Sequence, residues 1–406
     1  MATRLGETVG GPVDFRRTGV SRFADRDLGA QRVRCEVGKP LAQQAQLGHN
    51  RWHPDIPPLL ELNPGEDVIL ETPGYDDYQL RDNDDRRDID TLDLTRVHPL
   101  AGPVAVKGAK PGDLLVVDLL ELAPLSGIGY SCVLPGMGGI LRDMFPKGFK
   151  SVWDCKGVYA TSRHVPGVRV PAIPHPGVIG VAPSHELLQQ WNQREDPLIP
   201  QEKAAPRNPD TAVLRTVTGA KRSQMAAEAA RTVPPRENGG NVDIKNMSTG
   251  SRLYFPVFVD GGLLSVGDLH FAEGDGEVTW NAIEMDGITH LRVDLIKGAA
   301  RKYNIKTPIF EPGPVEPRFT RYLTFTGISV QNGKQLYLDC TAAAKEALVQ
   351  AIEYLMKFGY SGEQAYTILS VAPIEMRISS MVDIPNACVT VAIPRDIFER
   401  DILPTR

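Results

Sequence analysis

Residues 110–119 read Lys-Pro-Gly-Asp-Leu-Leu-Val-Val-Asp-Leu, a Pro-Gly turn that leads into a run of apolar residues. The same pattern occurs earlier at 63–71, where the sequence is Asn-Pro-Gly-Glu-Asp-Val-Ile-Leu-Glu. A turn pair followed by aliphatic residues predicts a strand that starts directly after the turn. Two units of one type indicate a β-barrel or a β-sandwich, although they are too short to establish a sequence repeat.

The C-terminal part of the chain has a different pattern. Apolar residues of Ala342–Phe358 recur at helical spacing, and Gly359 is a candidate C-cap. A second helix is expected after Ser361, which is a favourable N-cap residue. Together with the strands, these helices predict a β-rich α+β fold with a barrel or sandwich core and a smaller C-terminal α/β portion.

Changes in composition divide the chain into five segments. We expect an N-terminal arm at 1–48, a β-rich domain at 49–190, a surface excursion at 191–235, a second β-rich domain at 236–330 and the C-terminal α/β portion at 331–406. The excursion is rich in Arg, Pro and Ala, and one short helix is expected near Gln224–Arg231. The second β-rich domain carries the main acidic motifs.

The overall composition is that of a globular protein. The 406 residues are 42% hydrophobic and 23% charged, and the net charge of −5 argues against a nucleic-acid partner, which would require a basic surface. Five cysteines are scattered singly, which is typical of a reducing compartment. The sequence has no run of 18 apolar residues and no apolar signal core near Met1, so we expect a cytoplasmic protein without a membrane partner.

The stretch Gly267–Glu277, Gly-Asp-Leu-His-Phe-Ala-Glu-Gly-Asp-Gly-Glu, concentrates four carboxylates and one imidazole. In an extended backbone, side chains at i and i+2 share a face. Asp268 and His270 would then point together, and so would the three later acids, Glu273, Asp275 and Glu277. Crowded carboxylates repel each other, which favours a metal site, a proton-transfer role or full solvation. The stretch is therefore either part of a site or a solvated hairpin with an Asp-Gly turn.

A loop at 234–243, Pro-Pro-Arg-Glu-Asn-Gly-Gly-Asn-Val-Asp, is the next richest group of polar residues. Glu237, Asn241 and Asp243 could supply oxygen ligands or hold a substrate amide, and the alternative is a solvated Gly-Gly loop. The sequence has no GxSxG motif or P-loop, and its cysteines have no catalytic context. Metal-assisted water is therefore the favoured chemistry. A lone histidine is more often structural than functional, but His270 is surrounded by acids.

Nine motifs between His49 and Pro394 resemble the acetamidase/formamidase family, specifically its long formamidase branch. They are HNRWHPDIP (49–57), PGDLLVVDLL (111–120), TSRHVPGV (161–168), HPGVIG (175–180), ARTVPPRE (230–237), GGNVDIK (239–245), GDLHFAEGDGE (267–277), FGYSGEQAY (358–366) and VDIPNA (382–387). The resemblance implies a β-rich fold with an α/β portion, and hydrolysis of short aliphatic amides, formamide or acetamide, to the acid and ammonia. It also implies a homo-oligomer and a divalent metal cofactor, zinc first, with calcium or a mixed site as alternatives.

With this resemblance, our hypothesis assigns roles to single residues. Four residues would hold the metal: Asp82, Asp243, Asp268 and His270. Four would take part in catalysis: Glu277 as general base, Glu237 or Asp275 as proton donor to ammonia, and Asn241 at the developing oxyanion. The small amide substrate would be bound by Asn238, His175, Gly239 and Gly240.

The chain departs from the family at four places. Members usually carry His where Asn238 stands, and they tend to carry His at the position of Met144. Their Thr-Gly-Gly segment is replaced by 75–79, and Gln is common where this chain has Glu273. A missing imidazole weakens zinc binding, and an extra carboxylate favours a harder cation. Two alternatives stay open: a divergent paralogue acting on a different C–N substrate, whose formamide hydrolysis Asn238→His would raise, and a non-catalytic oligomeric member.

Overall fold

The computed structural model describes residues 30–136, 139–313 and 319–404. Its strands are β1 (Gln31–Val33), β2 (Gly48–His49), β3 (Arg51–Trp52), β4 (Leu60–Leu62), β5 (Asp67–Thr72), β6 (Leu100–Val106), β7 (Leu114–Val133), β8 (Phe149–Asp154), β9 (Tyr159–Ser162), β10 (Val165–Pro171), β11 (His175–Gly180), β12 (Ala230–Arg231), β13 (Pro235–Arg236), β14 (Gly239–Asn241), β15 (Arg252–Pro256), β16 (Leu264–His270), β17 (Glu284–Ile296), β18 (Ile309–Glu311), β19 (Tyr322–Ile328), β20 (Val330–Gln331), β21 (Lys334–Gln335), β22 (Glu375–Ser380) and β23 (Cys388–Pro394). Its α-helices are α1 (Arg87–Asp90), α2 (His185–Glu195), α3 (Gly219–Glu228), α4 (Ala299–Tyr303), α5 (Cys340–Met356) and α6 (Gly362–Val371).

Sixteen of these strands form one large sheet built around β7 and β17. The two strands pair antiparallel from Glu284 opposite Tyr130 to Ile296 opposite Leu114, and β5 also pairs with β17. The first eight residues of β17 are buried, so an acidic side chain at its start is carried into the interior. Glu284, the first residue of β17, is therefore buried inside the molecule.

The strands around β16 bring the polar motifs together. β16 pairs antiparallel with β11, β6 and the start of β17, and β11 also pairs with β14. The acidic stretch that follows β16, the His175 end of β11 and the Gly-Gly segment in β14 therefore lie in one region. Pairing between distant strands, and not closeness in sequence, assembles the candidate site.

The C-terminal part forms a second layer. A three-stranded antiparallel sheet in the order β19-β23-β22 is covered by α5, and α6 packs against α5. Asp339 caps α5 by accepting a hydrogen bond from the backbone N–H of Ala342 at 2.9 Å. Ser361 and Gln364 form a capping box at the start of α6, which satisfies two backbone N–H groups at once.

The structure confirms the β-rich α+β fold and both turn-strand units. The turns at Gly65 and Gly112 lie in the left-handed region, at φ 89° and 95°, and β5 and β7 follow them. Helix α6 begins after Ser361 as predicted. Helix α5 begins two residues earlier than the predicted 342–358, because Asp339 caps it, and it ends two residues earlier, at Met356.

The segment 191–235 differs from its prediction. Its helix α3 covers Gly219–Glu228 and not 224–231, because Ala230 and Arg231 pair as a strand with β3. Helix α2 runs into the segment and was not predicted. Of the expected N-terminal arm, 1–29 lies outside the described residues, while β1 pairs with β5. Among the described residues, no helix combines the length and apolar character that a membrane crossing needs.

Candidate active site

Strands β11 and β16 place two histidines side by side. His175 and His270 are partners in the strand register, and their rings meet edge to face with centroids 5.0 Å apart. Gly177 lies two residues along β11, where an added Cβ would stand 2.6 Å from Cε1 of His270 and 2.7 Å from Oδ2 of Asp268. The absent side chain at Gly177 therefore leaves the space that the imidazole and the carboxylate occupy.

The loop after β16 returns two carboxylates to these histidines. Glu273 is 1% exposed, and Glu277 lines the same cavity as Asp268. Asp275 points elsewhere, because its carboxylate pairs with Lys245 and accepts a hydrogen bond from the backbone N–H of Met376 at 2.9 Å. The expectation that the three acids share one face is therefore wrong, since 271–283 is a loop with turns and not an extended strand.

His270 is the centre of the cluster. Its Nδ1 atom lies 2.9 Å from Oε2 of Glu273, and its Nε2 atom lies 3.2 Å from Oε2 of Glu284 and 3.7 Å from Oδ2 of Asp268. Burial would lower the pKa of His270, but the charges of these carboxylates outweigh it and raise the pKa well above its ordinary value. Each edge of the ring therefore faces negative charge.

Glu273 joins the two rings. The backbone oxygen of Ile173 accepts a hydrogen bond from Nδ1 of His175 at 2.6 Å, and Nε2 of His175 lies 2.9 Å from the same Glu273 oxygen that His270 contacts. Burial would raise the pKa of Glu273, but hydrogen bonds from the two rings outweigh it and lower the pKa. Glu273 therefore stays ionised and fixes the orientation of His270.

Of the remaining carboxylates, Glu284 is buried and Asp243 and Glu277 are partly buried, where negative charge is already concentrated. Burial, followed by the charge of Glu273, raises the pKa of Asp243 well above its ordinary value, and burial and Asp243 do the same to Glu277. Burial raises the pKa of Glu284 to about 7. Within the described residues, several buried atoms here have no hydrogen-bond partner: Oδ1 of Asn241, Asp243 and Asp268, Nε2 of His270 and Oε2 of Glu284. A buried polar atom without a hydrogen-bond partner destabilises the folded state, so the grouping of several such atoms here indicates a bound cation or ligand.

Asn241, Asp268 and Glu284 border a small cavity, and Asp243 and His270 lie directly beside these residues. Its lining combines apolar and aromatic side chains with polar ones. The first group is Tyr75, Leu94, Val97, Leu134 and Trp280, and the second is His98, Asn241, Asp268, Glu277, Asn281 and Glu284. The volume is about 20 Å³, close to what a single water molecule needs. The arrangement suits a ligand of very few atoms.

The sequence of residues 34–400 matches the Acetamidase/Formamidase family. The chain belongs to this family. A formamidase from Methylophilus methylotrophus is 50% identical over 378 residues, covering 90% of this chain and 93% of the relative. An acetamidase from Mycolicibacterium smegmatis is 47% identical over 358 residues, covering 83% and 88%. The chain is therefore an amidohydrolase.

A solved structure supports the fold of this amidohydrolase in detail. A gamma lactamase from Delftia acidovorans is 48% identical and superimposes with a TM-score of 0.90, covering 93% of this chain and 95% of that one. The family and the β-rich fold that the motifs predicted are thereby confirmed.

Several residues assigned from the sequence lie together in this amidohydrolase. Asp243, Asp268 and His270 offer ligand atoms within 4.8 Å of one another, as do His270, Glu277 and Glu284. Asn241 lines the cavity, and its Nδ2 atom donates to Oδ2 of Asp243 at 2.9 Å. His175 contacts Glu273 behind His270, so the structure places it among metal-ligand candidates and not against the cavity.

Three assigned carboxylates lie outside the cluster. Asp82 is about half exposed and pairs with Arg163 at 2.9 Å, so its assignment as a metal ligand is not supported. Glu237 pairs with Arg194, whose hydrogen bonds lower the pKa of Glu237 to about 2. Such an acid is ionised near neutral pH and cannot serve as the proton donor. Asp275 is held by Lys245, as described above.

The Gly-Gly segment has a packing role. Gly239 and Gly240 belong to β14 and pair with β11, and a Cβ on Gly239 would lie 2.5 Å from the backbone oxygen of Ile179. Asn238 is fully buried, and its Nδ2 atom donates to the backbone oxygen of Val181 at 2.8 Å. None of the three is among the described residues that line the cavity, so the structure does not support their assignment to substrate binding.

The divergent positions differ in their relation to the site. Tyr75 lines the cavity, so the replaced 75–79 segment contributes to the cavity wall. Met144 is 45% exposed on the surface, so its replacement does not alter the cavity wall.

Two site residues were missed from the sequence. Glu284 interrupts the apolar run Ala-Ile-Glu-Met at 282–285, and a buried acid inside a strand is the signal that could have identified it. His98 lies 3.9 Å from Oδ2 of Asp268 through its Nε2 atom. It follows Val97 in a Pro-rich segment, and nothing in that local pattern distinguishes it from a structural histidine.

Proposed function

We propose that the chain hydrolyses short aliphatic amides, formamide and acetamide, to the carboxylic acid and ammonia with the help of a divalent cation. The observation that carries this proposal is the cluster of Asp243, Asp268, His270, Glu277 and Glu284, three of which (Asp268, Glu277 and Glu284) line a cavity of about 20 Å³. The charged side chains of this cluster can support hydrolysis, and the small volume of the cavity suits substrates with few heavy atoms. The names of the two amidase relatives support the same substrates.

The donor set fits a cation. Asp243, Asp268 and Nε2 of His270 would hold it, with Glu284 close by, and together they provide nitrogen and carboxylate ligands of the kind that zinc accepts. The excess of carboxylates keeps calcium or a mixed site as an alternative. A bound divalent cation would supply Lewis-acid polarisation of the amide carbonyl and would lower the pKa of a water molecule.

Tyr75 and Asn241 would bind and orient the amide substrate. Tyr75 lines the cavity, and its buried hydroxyl has the Cys132 thiol beside it as a weak partner, so it can donate to the substrate carbonyl instead. Its pKa is raised well above the ordinary value by burial, which keeps it protonated. The free Oδ1 of Asn241 can accept from the substrate NH₂ group. Asn241 then orients the amide nitrogen, instead of stabilising the oxyanion as first assigned.

Glu277 is the proton carrier of this proposal. Its carboxyl borders the cavity, whereas Glu237 and Asp275 are engaged by Arg194 and Lys245. The positive charge of a cation held beside it would favour the ionised form of Glu277 against the effect of burial. Glu277 would then take a proton from the attacking water and deliver it to the departing nitrogen as the C–N bond breaks. Water adds to the carbonyl carbon, and the products are the acid and ammonia.

Ammonia release from formamide, acetamide and propionamide, measured before and after complete chelation and after zinc is restored, tests the proposal. We expect activity that falls along the series, disappears with the metal and returns with it. Glu277→Gln should lose about 100-fold or more of the activity, while Glu237→Gln serves as the matched control. Full activity without metal would contradict the metal requirement.

Hydrolysis of a γ-lactam is the second candidate, because a structure described as a gamma lactamase superimposes with a TM-score of 0.90. The small cavity favours linear amides over a ring. Comparing a γ-lactam with acetamide on the same preparation separates the two substrates. If neither substrate is hydrolysed and elemental analysis finds no metal in a folded protein, the non-catalytic alternative is supported instead.

We further propose a cytoplasmic homo-oligomer. All five cysteines are free thiols, which agrees with a reducing compartment. Large apolar side chains are exposed on the segment after β22, among them Val382 at 75% and Ile384 at 70%, and such residues are common at subunit contacts. Light scattering coupled to size exclusion will give the number of subunits, and a monomer at micromolar concentration would contradict the oligomer.

A further inference from the structure

An asparagine without a role in the chemistry described so far borders the active-site cavity. Asn281 lies near the end of the loop between β16 and β17, is 3% exposed, and lines the cavity together with Glu277 and Glu284. An amide group donates hydrogen bonds, whereas ionised carboxylates only accept them. We propose that Nδ2 of Asn281 donates a hydrogen bond to the carbonyl oxygen of the substrate. Asn281 is then a further catalytic residue of the proposed amide hydrolysis, on which this role rests.

The orientation of the Asn281 amide group is set by the neighbouring strand β7. Its Oδ1 atom accepts a hydrogen bond from the backbone N–H of Cys132 at 2.9 Å. A backbone N–H can only donate, so the atom that it meets is the side-chain oxygen, and the NH₂ group points away from Cys132. Within the described residues, no atom accepts a hydrogen bond from Nδ2. Because Asn281 borders the cavity, Nδ2 is available to a ligand there.

The backbone of Asn281 is fixed by helix α6. Its carbonyl oxygen accepts hydrogen bonds from Oγ of Ser370 at 2.6 Å and from Oγ1 of Thr279 at 3.2 Å. Oγ of Ser370 also accepts from the backbone N–H of Thr279 at 3.0 Å, and all three residues are buried. Side chain and backbone are therefore both held before a substrate binds. A donor held in this way stabilises the charge that develops in a transition state, because it need not reorient during the reaction.

Cys132 also connects Asn281 to Tyr75. The backbone N–H of Cys132 holds Asn281, its thiol lies beside the hydroxyl of Tyr75, and both Tyr75 and Asn281 line the cavity. The two donors therefore lie close together and can address one carbonyl oxygen, which accepts more than one hydrogen bond. That oxygen becomes an oxyanion as water adds to the carbonyl carbon, so both hydrogen bonds strengthen in the transition state. The free Oδ1 of Asn241 remains for the NH₂ group of the substrate.

Hydrolysis of acetamide by the metal-loaded full chain carrying Asn281→Ala tests this role. We expect kcat to fall by about 100-fold or more, because one oxyanion donor is lost. KM should change by less than about threefold, since the hydrogen bond is weaker in the ground state. Elemental analysis should find unchanged metal content. Asn192→Ala is the matched control and should keep the activity, because Nδ2 of Asn192 donates to the backbone oxygen of Glu228 at 2.8 Å and Asn192 is not among the residues that line this cavity.

Thioacetamide distinguishes a hydrogen bond to the substrate from a structural effect of the substitution. Its sulfur is a weaker acceptor than oxygen, so Asn281 contributes less to its hydrolysis. Asn281→Ala should therefore lower kcat/KM for acetamide by about tenfold more than for thioacetamide. The effects of a bound cation and of the larger sulfur atom are present in both proteins and cancel in this comparison. Equal losses for the two substrates, or an unchanged kcat for acetamide, would overturn the role of Asn281.

Binding of ¹³C-labelled acetamide tests the same hydrogen bond without hydrolysis. In Glu277→Gln, which should turn over slowly, infrared difference spectroscopy records the carbonyl stretch of the bound amide. A hydrogen bond weakens the C=O bond, so the band should lie at lower wavenumber in Glu277→Gln than in the double variant with Asn281→Ala. Identical bands, or no bound acetamide in Glu277→Gln, would contradict the role of Asn281. A shifted band in a chain that hydrolyses no amide would support this role and contradict the proposed function.

Discussion

The Nε2 atom of His270 lies 3.2 Å from Oε2 of Glu284, and in the described part of the chain neither atom forms a hydrogen bond of acceptable geometry. The opposite edge of the ring contacts Glu273 at 2.9 Å, so Nδ1 is already engaged. A ring held in this way places Nε2 beside the carboxylate of Glu284, which lines the cavity. Glu273 therefore holds the ring of His270 through Nδ1, whereas Glu284 lies beside Nε2.

Glu284→Gln should reduce the active-site metal affinity by about 10–100-fold and reduce amide hydrolysis with it. The replacement keeps the shape of the side chain but removes a negative charge beside Nε2 of His270. Metal binding at the active site and ammonia release from formamide are the measurements. Unchanged affinity would show that Glu284 does not contribute to holding the cation.

Glu273→Gln should have a smaller effect, about tenfold or less on metal affinity. A glutamine oxygen can still accept the hydrogen bond from Nδ1 of His270, so the ring keeps its orientation while the charge is lost. Comparing the metal affinities of Glu273→Gln and Glu284→Gln separates the effect of ring orientation from the effect of negative charge. A larger loss of metal affinity than in Glu284→Gln would mean that Glu273, and not Glu284, contributes more to holding the cation.

Much of the fold could be predicted because its signals are local. The Pro-Gly turns before β5 and β7 and the cap at Ser361 each depend on a few adjacent residues. The site depends on strand register, which no local pattern reports. Glu284 reaches His270 because β16 pairs with β17, and Asp275 turns away because Lys245 lies opposite it. Spacing of two residues correctly grouped Asp268 with His270 but failed in the following loop.

Asp76→Asn should stabilise the protein at alkaline pH. Burial, followed by the charges of Asp77 and Asp286, raises the pKa of Asp76 to about 7. In the unfolded chain this carboxyl ionises near its ordinary pKa of 3.8, whereas in the folded chain it stays protonated until about pH 7. Stability is therefore lost as the pH rises between these values and stays low above them.

Urea unfolding of Asp76→Asn and the unmodified chain, near pH 4 and near pH 8, measures this effect. Each pKa unit corresponds to about 1.4 kcal/mol of unfolding free energy. Counting half of the rise in the pKa of Asp76, we expect the advantage of the variant over the unmodified chain to be roughly 2 kcal/mol larger at the higher pH than at the lower. Asp85→Asn is the control, because Arg87 lowers the pKa of the exposed Asp85. An equal gain at both pH values would exclude ionisation of Asp76 as the cause.

Asn238→His should destabilise the fold without raising formamide hydrolysis. The Asn238 side chain is fully buried, and an added Cβ at Gly180 would meet it at 3.3 Å, so a larger imidazole has little room. Overpacking of this kind costs about 1–3 kcal/mol. Thermal unfolding and the ammonia assay test both parts. A gain in formamide hydrolysis would restore the view that this position explains the divergence from other family members.

Gly177→Ala should remove the active-site metal and the activity while leaving the sheet formed. Its methyl group would stand 2.6 Å from the ring of His270 and 2.7 Å from the carboxylate of Asp268, so both side chains must move. A displacement of this size at two ligands should lower hydrolysis by about 100-fold. Gly362→Ala is the matched control, because its methyl would meet side-chain atoms only, the nearest on Phe145 at 3.0 Å, and it lies outside the active-site cluster. Circular dichroism should report native strand content for both variants, and elemental analysis should find metal only in the control. Full metal content and activity in Gly177→Ala would show that His270 and Asp268 are not held in this geometry during catalysis.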